Sequence, residues 1–195
     1  MVKATQILTA AVVVAMTAVL TAESSLEAQG LSLTVRLRND AKAPDYIVRG
    51  AKRVVSQIYE RAGVNLIWVE GGAKINIILP VRDEGWKLHQ PPNAMGFAPG
   101  TENQRCTVAY VLMHRVEEVS AGYHAEIGEV LGAAIAHELG HLLLPHNSHS
   151  QTGLMRPEWN QRDFRSGQRG DLVFTADQTA QIHQSPVVIR QSFID

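Results

Sequence analysis

The stretch His137-Glu138-Leu139-Gly140-His141-Leu142-Leu143-Leu144-Pro145-His146-Asn147-Ser148-His149 holds four of the chain's eight histidines. It begins with His-Glu-x-x-His, a pattern that chains of this His and Glu content contain by accident in about 2% of cases, so the clustering calls for a chemical reason. Just upstream, Ile127, Val130, Leu131, Ala134 and Ile135 form an apolar stripe at helical spacing that runs directly into Glu138, His141 and Leu142. Ala125 to Leu144 therefore reads as one helix. It should end at Leu144, because a residue before proline is pushed out of the α region and Pro145 cannot extend the hydrogen-bond ladder.

Four positions carry a helix slightly past one turn, so His137 and His141 project on the same side and can aim imidazole nitrogens at one ion. Glu138, beside the first histidine, can reach a metal-activated water without binding the metal, which is the general-base arrangement of zinc hydrolases. The bland alternative is a pair of hydrogen-bonded core histidines next to a buried carboxylate. It leaves that carboxylate without the partner a cation would supply. The only cysteine, Cys106, excludes zinc sites built on two or more sulfurs, so the metal must be held by nitrogen or oxygen. Catalytic zinc needs a third protein ligand besides water, and His146 and His149, on the turn that leaves the helix, lie nearest.

Outward from the motif, the chain is organised as one globular domain. Leu31 to Arg38 alternates apolar and polar residues as a half-buried strand does. After Pro44, the residues Ile47, Val48, Ala51, Val54, Val55 and Ile58 recur at helical spacing until Gly63. Two short β-rich runs, 64–69 and 75–80, are separated by Gly71-Gly72 and read as neighbouring strands of one sheet. Residues 82–105, rich in Gly and Pro, read as a long loop at the rim of a binding site. Thr107 to Met113 is a further buried-strand candidate, with Cys106 at its start expected to be buried and inert. After the irregular, arginine-rich stretch 145–170, Thr175-Ala176-Asp177-Gln178 fits a capping box that opens a last short helix.

Residues 1–28 read as a signal peptide: Lys3, then an uncharged apolar run from Ile7 to Leu20, then small residues with cleavage near Ala22 or Ala28. The run falls short of the roughly 20 residues a spanning helix requires. Residues 29–195 are then a single secreted or periplasmic domain, without stable membrane association once the signal is removed. With 18 basic and 19 acidic side chains and a net charge of -1, the chain offers no basic surface for a nucleic acid. No Gly-x-Ser-x-Gly turn is present to support a serine nucleophile.

His137, Glu138, Gly140, His141, His149, Ser150, Gly153, Leu154 and Met155 together resemble the metzincin clan of zinc metallopeptidases. The resemblance is to small secreted bacterial zincin-like proteins in particular, whose helix motif is followed by a His-Ser pair and a Gly-Leu-Met or Gly-Ile-Met. It implies a zincin/metzincin-like α+β fold: a mixed twisted sheet, a backing helix, an active-site helix and a short irregular C-terminal part with a last helix. It also implies a third zinc ligand, carried here to His149 because that residue heads the His-Ser pair, with His146 the alternative, and a structural methionine turn at Met155. Two positions depart from the pattern: the clan's usual third histidine would fall at Asn147, and its helix-ending glycine at Leu144.

The expected function is that of a monomeric Zn2+-dependent endopeptidase, with Glu138 as general base and a peptide or protein as substrate. Two alternatives keep the metal: a secreted zinc-binding recognition module without catalysis, and a zinc amide hydrolase acting on small or cell-wall substrates. Three lesser expectations complete the reading. His89, His114 and His124 are candidates for a second ion, although lone histidines rarely bind one. Arg156, Arg162, Arg165 and Arg169 read as solvated, and Pro157 and Trp159 as marks of a fixed turn. Tyr110 and Tyr123 are candidate hydrogen-bond donors toward a transition state.

Overall fold

The structure, a computed structural model, describes residues 30–81, 94–99, 106–164 and 172–190. The signal-peptide reading of residues 1–28, His89, Arg165 and Arg169 lie outside the described residues. Leu31–Ile189 form one compact unit.

Strand β1 (Leu31–Asn39) leads through Ala43 and Pro44 into helix α1 (Asp45–Arg61). Ile47, Ala51, Val55, Ile58 and Tyr59 are the buried face of α1, so its periodicity translates directly into packing. Gly63, at φ 73°, makes the left-handed turn that follows the helix and admits β2 (Val64–Trp68). Next come β3 (Ile75–Leu79), the two-residue β4 (Gly96–Phe97) and β5 (Val108–Val111). Helix α2 (Met113–Tyr123), helix α3 (Ile127–Leu143) and helix α4 (Ala176–His183) complete the layer, with a short 3-10 turn at Gln161–Phe164.

Five of the six strands lie in the order β2-β1-β3-β5-β4, parallel except for β4, which runs antiparallel to β5; the sixth, at Ile189–Arg190, pairs with β1 off this path. This corrects one expectation: β2 and β3 are not neighbours, because β1 lies between them. The register explains how. Residues Leu31 to Val35 of β1 pair with β2, and Val35 to Asn39 pair with β3, so β3 starts at the level where β2 ends. The backbone carbonyls of Val35 and Thr34, which point to opposite edges, accept from Val69 and Lys74 respectively. The short link between Trp68 and Ile75 cannot make the crossover of a dozen or more residues that a directly adjacent parallel partner would require.

Two further corrections concern the middle of the chain. The strand expected to reach Met113 stops at Val111, and Met113 opens α2 instead. The loop expected over 82–105 contains strand β4.

Helix α1 packs against β2 and α3, and α3 packs on β5, β4 and β3. Leu33, Val35, Ile77, Val55, Tyr59, Leu131, Ile135 and Leu139 are fully buried between these layers. Every residue of α3 from Val130 to Gly140 is buried, so burial extends well beyond the stripe read from sequence. The motif is therefore carried by an element packed on most of its surface. Among the described residues, no helix is long and apolar enough to cross a membrane.

Candidate metal centre

Leu143 is the last residue of α3, and Leu144 adopts an extended φ −90°, ψ 163° ahead of Pro145. The return of the chain is made by Asn147 at φ 60°, a left-handed conformation that Asn tolerates better than most residues. That accounts for both departures from the clan pattern: a pre-proline break replaces the glycine at Leu144, and Asn147 is a turn residue. The residues after this turn bring His149 back over the helix.

Nε2 of His141 lies 3.0 Å, and Nε2 of His149 3.3 Å, from Nε2 of His137. Potential ligand atoms of the three histidines all fall within 4.8 Å of one another, and among the described residues they form the only such group of three or more. Imidazole nitrogens holding one zinc ion tetrahedrally are about 3.3 Å apart, so the donor set fits this ion in number, and the two pairs that include His137 stand close to that spacing. His146 is exposed on the rim of the same cavity, outside the cluster. His114 and His124 join no such group.

The rings of His137 and His141 are oriented from outside the cluster. The Leu154 carbonyl can only accept, so the 2.9 Å contact with His137 Nδ1 puts the proton on Nδ1 and leaves the Nε2 lone pair facing the cluster. Trp159 Nε1 donates to the same carbonyl at 3.1 Å, and its ring meets the His137 ring edge-on. Ser148 Oγ stands 3.3 Å from His141 Nδ1. Burial holds His137 down to about 4, opposed by its bond to Leu154 and reinforced by His149. Burial, then the charges of His137, His149 and His146, holds His141 down to about 3. Both rings are thus neutral and able to ligate near neutral pH.

Glu138 is 7% exposed, its Oε2 has no hydrogen-bond partner among the described residues, and burial pushes its carboxyl up to about 8. An ionised carboxylate there lacks a counter-charge, and a cation at the neighbouring histidines would supply one. Gly96 of β4 makes room for it. A Cβ at Gly96 would stand 2.6 Å from Glu138 Cγ and 2.7 Å from the Tyr110 carbonyl oxygen. Gly140 does the same on the other side of α3, where a Cβ would meet the Sδ of fully buried Met155 at 2.6 Å. Met155 thus packs beneath the motif, in a turn closed by a hydrogen bond from Ser150 N–H to its carbonyl.

His137, Glu138, His141 and His149 line one cavity of about 1080 Å³. Its walls also include Met95, Gly96 and Phe97 from the β4 segment, Val119 and Tyr123 from α2, and Trp159. Three sequence expectations change here. Cys106 is half-buried and lines this cavity, since the strand begins two residues later. Arg156 is not simply solvated but pairs with Asp163. Tyr123 gives its hydroxyl proton to the Trp159 carbonyl at 2.9 Å, and Tyr110 stacks on Phe97, its ring 4.8 Å away.

Ser148 and Gly96 were not singled out from sequence as parts of the site, and Leu154 was matched only within the Gly-Leu-Met run, not as an acceptor for His137. Gly96 left no signal from sequence, because the glycine stands in a stretch that reads as loop and its strand is seen only in the structure.

No protein-family model and no curated protein matches this sequence. Among solved structures, the crystal structure of archaemetzincin from Methanopyrus kandleri is similar, with a TM-score of 0.50 and 12% sequence identity. The match covers 78% of this chain and 94% of that one. At this identity the likeness concerns the fold, a mixed sheet with backing and motif-bearing helices, as expected from the sequence.

Proposed function

We propose that the chain is a zinc-dependent endopeptidase in which His137, His141 and His149 hold the metal and Glu138 is the general base. The observation that carries this reading is the convergence of three histidines, with ligand atoms within 4.8 Å of one another, beside a buried carboxylate whose Oε2 has no partner among the described residues. When bound, zinc supplies Lewis acidity, polarising a carbonyl and acidifying water toward neutrality. Glu138 takes the proton of the attacking water on its carboxylate and passes it to the leaving amine. The base is needed only for chemistry, since a purely structural zinc site has no use for it.

A peptide fits this cavity better than a compact metabolite does. Strand β4 is the last strand in the sheet order, and its segment lines the cavity beside Glu138. An extended peptide can add to such an edge by main-chain hydrogen bonds, which would lay a scissile bond along the site. The same reading takes the enzyme as a monomer that acts outside the cytoplasm after removal of residues 1–28, and it assigns no role to nucleic acid.

Turnover of an unstructured protein and a peptide library by the zinc-loaded chain tests this. Cleavage of internal peptide bonds, lost with a chelator and restored by zinc, is expected. Metal binding without turnover would point to a recognition module, and turnover confined to small amides to an amide hydrolase.

A further inference from the structure

The capping box of α4 lies 30 residues beyond Ser148 in sequence, yet it touches the metal-site loop. Thr175 Oγ1 accepts from the Gln178 N–H at 3.2 Å, and Gln178 Oε1 accepts from the Thr175 N–H at 3.0 Å. The Gln178 side chain is buried, and its remaining polar atom, Nε2, donates to the Ser148 carbonyl at 3.0 Å. These partners fix the amide's orientation: a backbone N–H requires the oxygen and a carbonyl requires the nitrogen. Ser148 in turn lies between the second and third histidines of the cluster, with Oγ against His141 Nδ1 and its peptide bond leading into His149.

We propose that Gln178 and Ser148 are positioning residues for the metal, with the α4 cap anchoring through Gln178 the loop that orients His141 and delivers His149. Glu and Gln serve a capping box equally at this position, because both offer the acceptor. Only Gln also has an N–H for Ser148. The choice of Gln at 178 is therefore explained by the loop, not by the helix. With His141 bound through Nε2, its Nδ1 carries a proton, and Ser148 Oγ is the acceptor that holds the ring in that tautomer and orientation.

The inference rests on the three histidines holding zinc, and its test separates the two. Gln178→Glu keeps the cap acceptor but sets a carboxyl oxygen against the Ser148 carbonyl in place of the donor, while Ser148→Ala removes the His141 contact and leaves the loop backbone in place. Zinc affinity is read by competition with a chromogenic chelator, and the thermal midpoint is read on metal-free protein. Each variant is expected to bind zinc about 10-fold or more weakly, the usual scale for outer partners of a metal-bound histidine. Ser148→Ala is expected to keep the wild-type metal-free midpoint, Gln178→Glu to lower it because it loses a buried hydrogen bond, and Ser148→Thr, which retains a hydroxyl, to recover affinity. Wild-type affinity in both Gln178→Glu and Ser148→Ala would overturn the inference, as would an affinity loss in Ser148→Ala matched by a falling metal-free midpoint. A wild-type chain that binds no zinc would instead overturn the reading beneath it.

Discussion

Glu138→Ala is expected to retain zinc while lowering kcat/KM for peptide cleavage by about 10²- to 10⁴-fold, the scale of a lost general acid–base group. The residue is buried beside the cluster but contributes none of the three nitrogens that converge there. Metal content should therefore be unchanged. A variant that still cleaves at the wild-type rate would refute the role assigned to Glu138, and one that loses its zinc would make the carboxylate part of the binding set.

The same substitution should alter how the metal-free protein responds to pH. Glu138 titrates near 8 when folded against an ordinary value of 4.5, so between these limits the folded state holds a proton that the unfolded chain has released. Stability from this group is then present below about pH 4.5 and is lost as pH rises toward 8, by about 1.4 kcal/mol per unit. His137 and His141 work on the acid side. Their folded values of about 4 and 3 lie below the ordinary 6.5, so the unfolded chain binds the extra protons and stability falls as pH drops below 6.5. Metal-free wild type should thus weaken in both directions, and Glu138→Ala should lose the alkaline decline only. Unfolding midpoints measured from pH 4 to 9 check this.

The second large effect is on the scaffold. Gly132→Leu is expected to destabilise the chain by about 3 kcal/mol or more, the upper range for overpacking. A Cβ at Gly132 would stand 2.6 Å from Val54 Cβ and 2.9 Å from the Ala51 carbonyl oxygen across the α1–α3 seam. Leucine's helix propensity returns only about 0.8 kcal/mol, so the clash wins. Gly128 sits at the same seam, its added Cβ 3.3 Å from the Ile47 carbonyl oxygen. Val54→Ala removes only the Cγ contact at 2.8 Å and keeps the Cβ at 2.6 Å, and the Ala51 carbonyl is backbone, so it should rescue Gly132→Ala little. Since α3 carries His137, Glu138 and His141, forcing the helices apart should also weaken the metal binding proposed at this site. Thermal unfolding of Gly132→Leu with an unchanged midpoint would show that the seam does not govern α3.

The motif helix, α1 and the α4 cap could be read from the chain because each is written in local signals: a 3.6-residue apolar period, Gly63, and Thr175 with Gln178. Helix α2 was not legible, since it buries only Met113 and Val116 and its other positions include His114, Arg115, Glu117, Glu118 and Ser120. The splitting of β1 between two partners was hidden for a different reason. Strand neighbours are set by long-range register, which alternation within one strand does not record. At the site, helical geometry alone paired His137 with His141. That His149 and not His146 joins the cluster goes with a left-handed Asn147, a backbone state that the spacing of histidines does not encode.

Metal analysis of purified wild type beside His146→Ala and His149→Ala tests the three-histidine centre most directly. About one zinc per chain is expected in the wild type and in His146→Ala, with zinc lost or greatly weakened in His149→Ala. Wild-type protein that carries no transition metal after exposure to zinc, and whose stability is indifferent to chelators, would contradict it.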